Sequence, residues 1–93
     1  MNKSDLIEVL AKRINLTQKK SEIVINLIFD EMTETLKKSD KIEIRGFGSF
    51  IVKQYKPYTG RNPKTGDKIQ VREKRLPFFK VGRELKKRVD ENY

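Results

Sequence analysis

The chain contains no cysteine and no histidine. Without cysteine neither a disulfide framework nor a thiolate metal site can form. Without histidine the commonest remaining metal ligand is gone, along with every catalytic constellation that needs a Cys or a His. Long apolar runs are also missing. The longest, Ile23 to Ile25 and Leu27 to Phe29, are far too short to span a bilayer or form a signal core, and the start of the chain, Met1-Asn2-Lys3-Ser4-Asp5, is polar. There is no internal repeat, no low-complexity linker and no glycine-rich phosphate loop of the Walker or dinucleotide type. These absences lead us to expect a soluble, intracellular protein that is not an enzyme and uses no cofactor, no metal and no small-molecule substrate.

At 93 residues the chain is one domain by length, and a domain this small buries only about 60 to 65% of its unfolded surface when alone. Charged residues (38%) outnumber hydrophobic ones (35%), so the core is thin and a partner subunit would help to complete it. The net charge of +9 is unevenly spread: residues 1–40 hold seven Lys/Arg and seven Asp/Glu, whereas residues 41–93 hold fifteen and six. The whole excess lies in the second half. A basic surface of that kind suits a polyanion, and nucleic acid is favoured over a membrane because the basic stretch is not an amphipathic helix.

Asn2 with Asp5 three residues on forms a capping pair for a first helix, which buries Leu6, Ile7, Leu10 and Ala11 and ends near Ile14. Thr17 is the N-cap of a second helix reaching about Lys38, although Lys20 leaves the reciprocal half of the box missing. The apolar residues of this helix sweep about two-thirds of its circumference at 100° per residue. One small helix cannot cover that surface. The sheet of the same chain could cover the rest, but the chain offers so little other apolar cover that a subunit interface is favoured. Ile25, Leu27, Ile28, Phe29, Met32 and Leu36, joined by Ile44, are therefore expected at a dimer core.

From Lys41 the period changes to two. Ile42 and Ile44 alternate with Lys41, Glu43 and Arg45, Gly46-Phe47-Gly48 turns the chain, and Phe50 and Val52 continue a second strand. Residues 53–76 then carry Lys53, Lys56, Arg61, Lys64, Lys68, Arg72, Lys74 and Arg75 against only Asp67 and Glu73. Tyr55, Tyr58, Ile69 and Val71 are too few to build a core, yet the flanks alternate like strands and Gly60 and Gly66 bracket a turn. The pattern predicts a long protruding two-stranded arm. Leu76-Pro77-Phe78-Phe79 returns as a short strand, and Gly82 precedes a final helix over 82–93 with Leu85 and Val89 as its buried stripe.

Asp40 and Glu43 followed by Arg45 form a weak match to a nuclease metal site, and strand carboxylates beside a turn are ordinarily solvated. The basic arm is the better candidate, since Lys and Arg on an extended ribbon can follow a groove and neutralise phosphates on both walls. At its tip, Gly60-Arg61-Asn62-Pro63-Lys64-Thr65-Gly66 sets a rigid apolar ring between two cations. That composition fits a wedge pushed between base pairs and fits equally an ordinary Pro-Gly turn.

Three stretches, Gly46-Phe47-Gly48-Ser49-Phe50, Gly60-Arg61-Asn62-Pro63-Lys64-Thr65-Gly66 and Pro77-x-Phe79-Lys80-x-Gly82-x-x-Leu85, fall in one order and spacing. By these the chain resembles the HU and integration host factor family of bacterial nucleoid proteins over essentially its whole length. The resemblance implies an α+β fold: an intertwined dimer with a helical base (1–40), a three-stranded antiparallel sheet saddle per subunit (41–52 and 76–81), a protruding β-arm (53–75) and a C-terminal helix (82–93). It implies an architectural, nucleoid-associated protein that bends and compacts duplex DNA through the minor groove with low sequence specificity. Phe47, Phe50 and Phe79 would form the aromatic core of the dimer and Pro63 the intercalating tip. Arg61, Asn62 and Lys64 would lie in the groove beside it, with Lys53, Tyr55, Lys56, Tyr58, Lys68, Arg72, Lys74 and Arg75 along the arm. Lys3, Lys80, Arg83 and Lys86 would hold flanking phosphates.

Two residues depart from the family pattern: Val81 replaces the usual proline, and Phe78 occupies a position that is commonly smaller. Ile42-Glu43-Ile44-Arg45 looks more like the integration host factor beta subunit, with Arg45 either reaching the minor groove or facing solvent. A heterodimer with a related subunit is therefore an alternative to the homodimer. A single-strand or RNA-binding module that stacks Tyr55 and Tyr58 on bases is an alternative of another class.

Overall fold

The computed structural model describes residues 1–91, so the last two positions of the helix expected over 82–93 lie outside the described residues. In chain order the elements are α1 (Lys3–Arg13), α2 (Gln18–Lys37), β1 (Ile42–Ile44), β2 (Gly48–Tyr55), β3 (Tyr58–Arg61), β4 (Lys68–Val71), β5 (Lys74–Val81) and α3 (Arg83–Asp90).

The helix ends are set by local chemistry. The Asn2 side chain accepts the Asp5 N–H at 2.9 Å, and the Asn2 N–H donates to the Asp5 carboxylate at 3.0 Å, a reciprocal box that opens α1. Thr17 Oγ1 accepts the Lys20 N–H at 3.1 Å and opens α2. Both helices end with a left-handed residue. Asn15 (φ 52°) lets Leu16 N–H bond back to Ala11 O, and Ser39 (φ 61°) lets its own N–H reach Leu36 O while Asp40 N–H reaches Thr35 O. These are Schellman closures made without glycine.

α1 packs on α2, and the buried residues are Ile7 from α1 with Ser21 and Ile25 from α2. Ser21 is fully buried because its hydroxyl donates to Thr17 O at 2.9 Å. Ile25, expected at the dimer core, is 6% exposed within the single chain and has almost no surface left to offer a partner. The other α2 residues behave differently: Leu27 is 58% exposed, Ile23, Ile28 and Phe29 are also exposed, and Met32 and Leu36 are half-buried.

The remaining strands form two separate sheets. β1, β2 and β5 make a three-stranded antiparallel sheet in the order β1-β2-β5, and β3 and β4 pair only with each other. The β2–β5 ladder runs from Gly48↔Val81 to Tyr55↔Lys74, so the saddle continues past the expected limit of residue 52 and β5 is eight residues long rather than a short return. Pro77 fits there because β5 is an edge strand, where a missing N–H costs no ladder bond. Strand alternation puts Ile42, Ile44, Phe50, Val52, Phe79 and Pro77 on the inner face. There Phe79 stacks at a tilt on Phe50 (centroids 4.8 Å apart) and Phe47 (5.4 Å).

Between β1 and β2 the chain turns through Gly46 (φ 84°), with Phe47 N–H bonded to Ile44 O at 2.9 Å. The positive φ at the third position of that turn is why glycine stands there. Gly48 is constrained by space instead: a Cβ would lie 2.6 Å from Lys80 O and 2.7 Å from the Phe79 ring. α3 is tied to the same turn by Gly82 N–H, which donates to Phe47 O at 2.9 Å. Leu85 is half-buried but Val89 is 63% exposed, so among the described residues α3 has no buried stripe.

The whole is extended, 57 × 35 × 29 Å with a radius of gyration of 18.9 Å, against about 12 Å for a compact chain of this length. Its accessible surface of 8541 Å² exceeds the roughly 5,600 Å² of a compact monomer of this mass.

Candidate nucleic-acid interface

The arm is the β3–β4 ribbon, joined to the saddle by Lys56-Pro57 on one strand and Arg72-Glu73 on the other, none of which takes part in a ladder. Its register is Tyr58↔Val71, Thr59↔Gln70, Gly60↔Ile69 and Arg61↔Lys68. Tyr58, Ile69 and Val71 therefore share one face with Gly60. A Cβ at Gly60 would meet the Tyr58 ring at 3.5 Å and Val71 at 3.9 Å, ordinary contact distances, so space alone does not demand glycine there. The other face carries Thr59, Gln70, Arg61 and Lys68.

Arg61 and Lys68 stand directly opposite one another at the last rung, and neither has a carboxylate at ion-pair distance among the described residues. Like charges in that position oppose pairing. The ribbon is closed beyond them by the tip: Asn62 N–H donates to Asp67 O at 2.8 Å and Gly66 N–H, at φ 74°, donates to Asn62 O at 2.7 Å. Asn62 Oδ1 also accepts the Lys64 N–H at 2.9 Å, and Thr65 Oγ1 accepts the Asp67 N–H at 3.3 Å. Pro63 is left exposed at the apex of this bonded loop, between the half-buried Asn62 and the exposed Lys64. Asn62, expected to touch DNA, has its side-chain carbonyl committed to holding the tip together.

On the saddle's outer face the alternation places Lys53, Tyr55, Lys74 and Lys80, all exposed. Lys56 and Arg72 sit at the joint between saddle and arm. Arg75 corrects an expectation: it belongs to the inner face and its Nη1 donates to Ser39 Oγ at 2.7 Å and Lys37 O at 3.3 Å. There it caps the C-terminal end of α2, where free carbonyls favour a cation. Its guanidinium is thus engaged with the body.

Arg45 lies in the β1–β2 turn, just past the end of β1 and not on the strand, and it is exposed. It lines an open cleft with Arg83 and Lys87 of α3, closed by Glu43, Ser49 and Glu84. Lys87 was not singled out from the sequence; its i, i+4 relation to Arg83 is the signal that places both on one side of α3. Lys86 is exposed on the same helix, and Lys3 is exposed in the first turn of α1. The nuclease pattern dissolves in three dimensions. Lys41 Nζ sits 2.9 Å from Glu43 and its hydrogen bond holds that carboxyl below the usual range, while Asp40 closes the end of α2. Among the described residues no group of three or more acidic side chains could hold a metal ion, and no helix is long and apolar enough to cross a membrane.

Against known proteins, residues 1–90 match the family described as bacterial DNA-binding protein. The chain is 50% identical over 91 residues to the integration host factor subunit beta of Aeromonas hydrophila and 48% identical over 91 residues to that of Azoarcus sp., each comparison covering 97% of both chains. Among solved structures it is similar to the HU of an Anabaena HU–DNA cocrystal, with a TM-score of 0.86 and 32% identity over 96% of this chain and 97% of that one. It is similar also to HU from Thermotoga maritima, with a TM-score of 0.68 and 31% identity over 96% and 98%. The helical pair, the saddle and the free-standing basic ribbon are thus those of the bacterial DNA-binding protein family, the histone-like group of HU and integration host factor, and this chain belongs to it.

Proposed function

We propose that this chain works as a dimer that clasps duplex DNA and bends it, each arm following the minor groove as binders of the HU and integration host factor kind do. One observation carries the reading: Arg61 faces Lys68 at the end of a ribbon with no buried residue. Two like charges kept abreast where they weaken the hairpin are relieved by a polyanion, and two walls of phosphate supply one. The HU chain of the Anabaena cocrystal was crystallised with DNA, and its similarity supports the same ligand here. Lys53, Tyr55, Lys56, Tyr58, Arg61, Lys64, Lys68, Arg72 and Lys74 line the arm and saddle, and Lys3, Lys80, Arg83 and Lys86 hold phosphates outside them.

Pro63 is the wedge. The tip's internal hydrogen bonds hold its ring outward before any ligand arrives, which lowers the ordering cost of insertion. Pro63→Ala keeps most of the duplex affinity and loses bend angle in a FRET or cyclisation assay; an unchanged bend removes the wedge from the mechanism. Lys68→Gln lowers the slope of log affinity against log salt by about 0.9. Preference for single strands over duplex in a competition titration would overturn the reading.

The identity to integration host factor beta subunits favours a second reading for the assembly, in which the partner is a related subunit and deformable sequence steps are preferred. Sedimentation of the pure chain separates the two: a stable dimer supports the homodimer, and a monomer that binds DNA only after a partner is added supports the heterodimer. Either assembly would cover the exposed Leu27, Ile28, Phe29, Ile44, Phe47 and Phe79 and act on the nucleoid in the cytoplasm.

A further inference from the structure

The outer face of the saddle is not a uniformly polar surface. Register and alternation put Ile51, Phe78 and Leu76 there, opposite the face that carries the Phe50–Phe79 pair. Phe78 is 42% exposed and Leu76 44%. The Lys53 ammonium lies 3.6 Å from the centroid of the Phe78 ring, close enough for the ring's π face to hold the cation in place. Lys74 and Lys80 stand at the two ends of the same row of β5, and none of the three lysines has a carboxylate at ion-pair distance among the described residues. The result is a narrow apolar strip with unpaired cations over it and at both ends.

A DNA strand has the complementary chemistry, with apolar deoxyribose C–H edges between anionic phosphates. A bilayer would ask for a broader apolar face than two or three side chains on a sheet provide. We propose that Phe78 and Lys53 form one contact for the DNA sugar–phosphate strand, the ring meeting a deoxyribose while it holds the ammonium against the adjoining phosphate. This rests on duplex DNA being the ligand of the saddle. It adds an apolar term to an interface otherwise made of charge.

The test compares Phe78→Ala, Phe78→Leu and Lys53→Gln with the parent chain, titrating a duplex across a salt series and recording each thermal unfolding midpoint. Phe78→Ala raises Kd about three- to fivefold while the salt slope and the unfolding midpoint stay put, because the ring is neither a charge nor part of the core. Phe78→Leu falls between, keeping apolar area without the π face. Lys53→Gln lowers the slope by about 0.9. Wild-type affinity in Phe78→Ala, or a loss that merely tracks a lowered midpoint, overturns the contact while the DNA-binding function stands. A loss on phosphatidylglycerol vesicles without one on duplex overturns DNA as the occupant. Failure of the parent chain itself to bind duplex overturns the function and this contact with it.

Discussion

The saddle and the arm are built from the same unit, an antiparallel strand pair, and they are held in register by different forces. β2 and β5 share eight rungs over a face that carries Phe50, Val52 and Phe79. A slip of one residue would turn those groups outward, so burial fixes the pairing. β3 and β4 share four rungs with no buried residue on either side, and their pairing is fixed from the end by the Asn62, Gly66 and Asp67 hydrogen bonds of the tip. The saddle's order is thus a property of the folded body. The arm's order is local, and its opening costs less than global unfolding.

The sharpest break in this contrast comes from the core. Ile25→Ala removes one of the two buried aliphatic groups among the described residues and costs about 2–5 kcal/mol in chemical denaturation; a loss below the bottom of that range would mean the helical base is held together mainly by a partner. Next come two glycines. Gly48→Ala drives a methyl into Lys80 O and the Phe79 ring and costs about 1–3 kcal/mol. Gly66→Ala meets open space and is strained only by its φ of 74°. Its cost of about 1 kcal/mol is confined to the tip, visible in amide exchange of the arm and absent from the global unfolding curve.

A smaller effect tests the seam between the regions. Arg75→Ala removes the clamp on the end of α2 at a cost of about 0.5–1 kcal/mol, and amide exchange at Gln54 and Tyr55 quickens while the arm's four rungs are unmoved. Quickening along the whole ribbon would show that arm and saddle are one unit. The smallest effect is on Glu43, whose carboxyl Lys41 holds below its ordinary range. Such a group stabilises the fold above its ordinary pKa and loses that contribution as pH falls through the lowered value. The pair is exposed, so parent and Glu43→Gln should differ in unfolding midpoint only slightly, above about pH 4.5, and added salt should erase the difference.

Much of this is legible in the order of residues alone. Asn2 and Asp5 are a cap by residue type and spacing alone, and the change of period at Lys41 marks where helix gives way to strand. The poverty of apolar groups between residues 53 and 76 told of a ribbon that does not fold inward. What stayed hidden depended on register. Arg75 looks like one more arm cation in a linear reading, and only its pairing with Gln54 puts it on the inner face, within reach of Ser39. Pro77 suggests a short strand until β5 is known to be an edge. Ile25 belongs to a wide apolar surface on the helical wheel, yet α1 covers that sector and leaves Leu27, Ile28 and Phe29 bare. Nothing in the order of residues says that the Asn62 side-chain oxygen accepts the Lys64 N–H and so helps to shape the tip.

The two unpaired steps at Lys56-Pro57 and Arg72-Glu73 have a mechanical meaning. Because no ladder bond crosses them, a force pulling on the tip is taken up by the torsions of four residues before it reaches the last saddle rung at Tyr55 and Lys74. Behind that rung stands the Arg75 clamp to α2, a stop against further travel. The ribbon can thus yaw like a boom on a gooseneck while the deck beneath keeps its shape, and helices of different curvature can be gripped by one unaltered base.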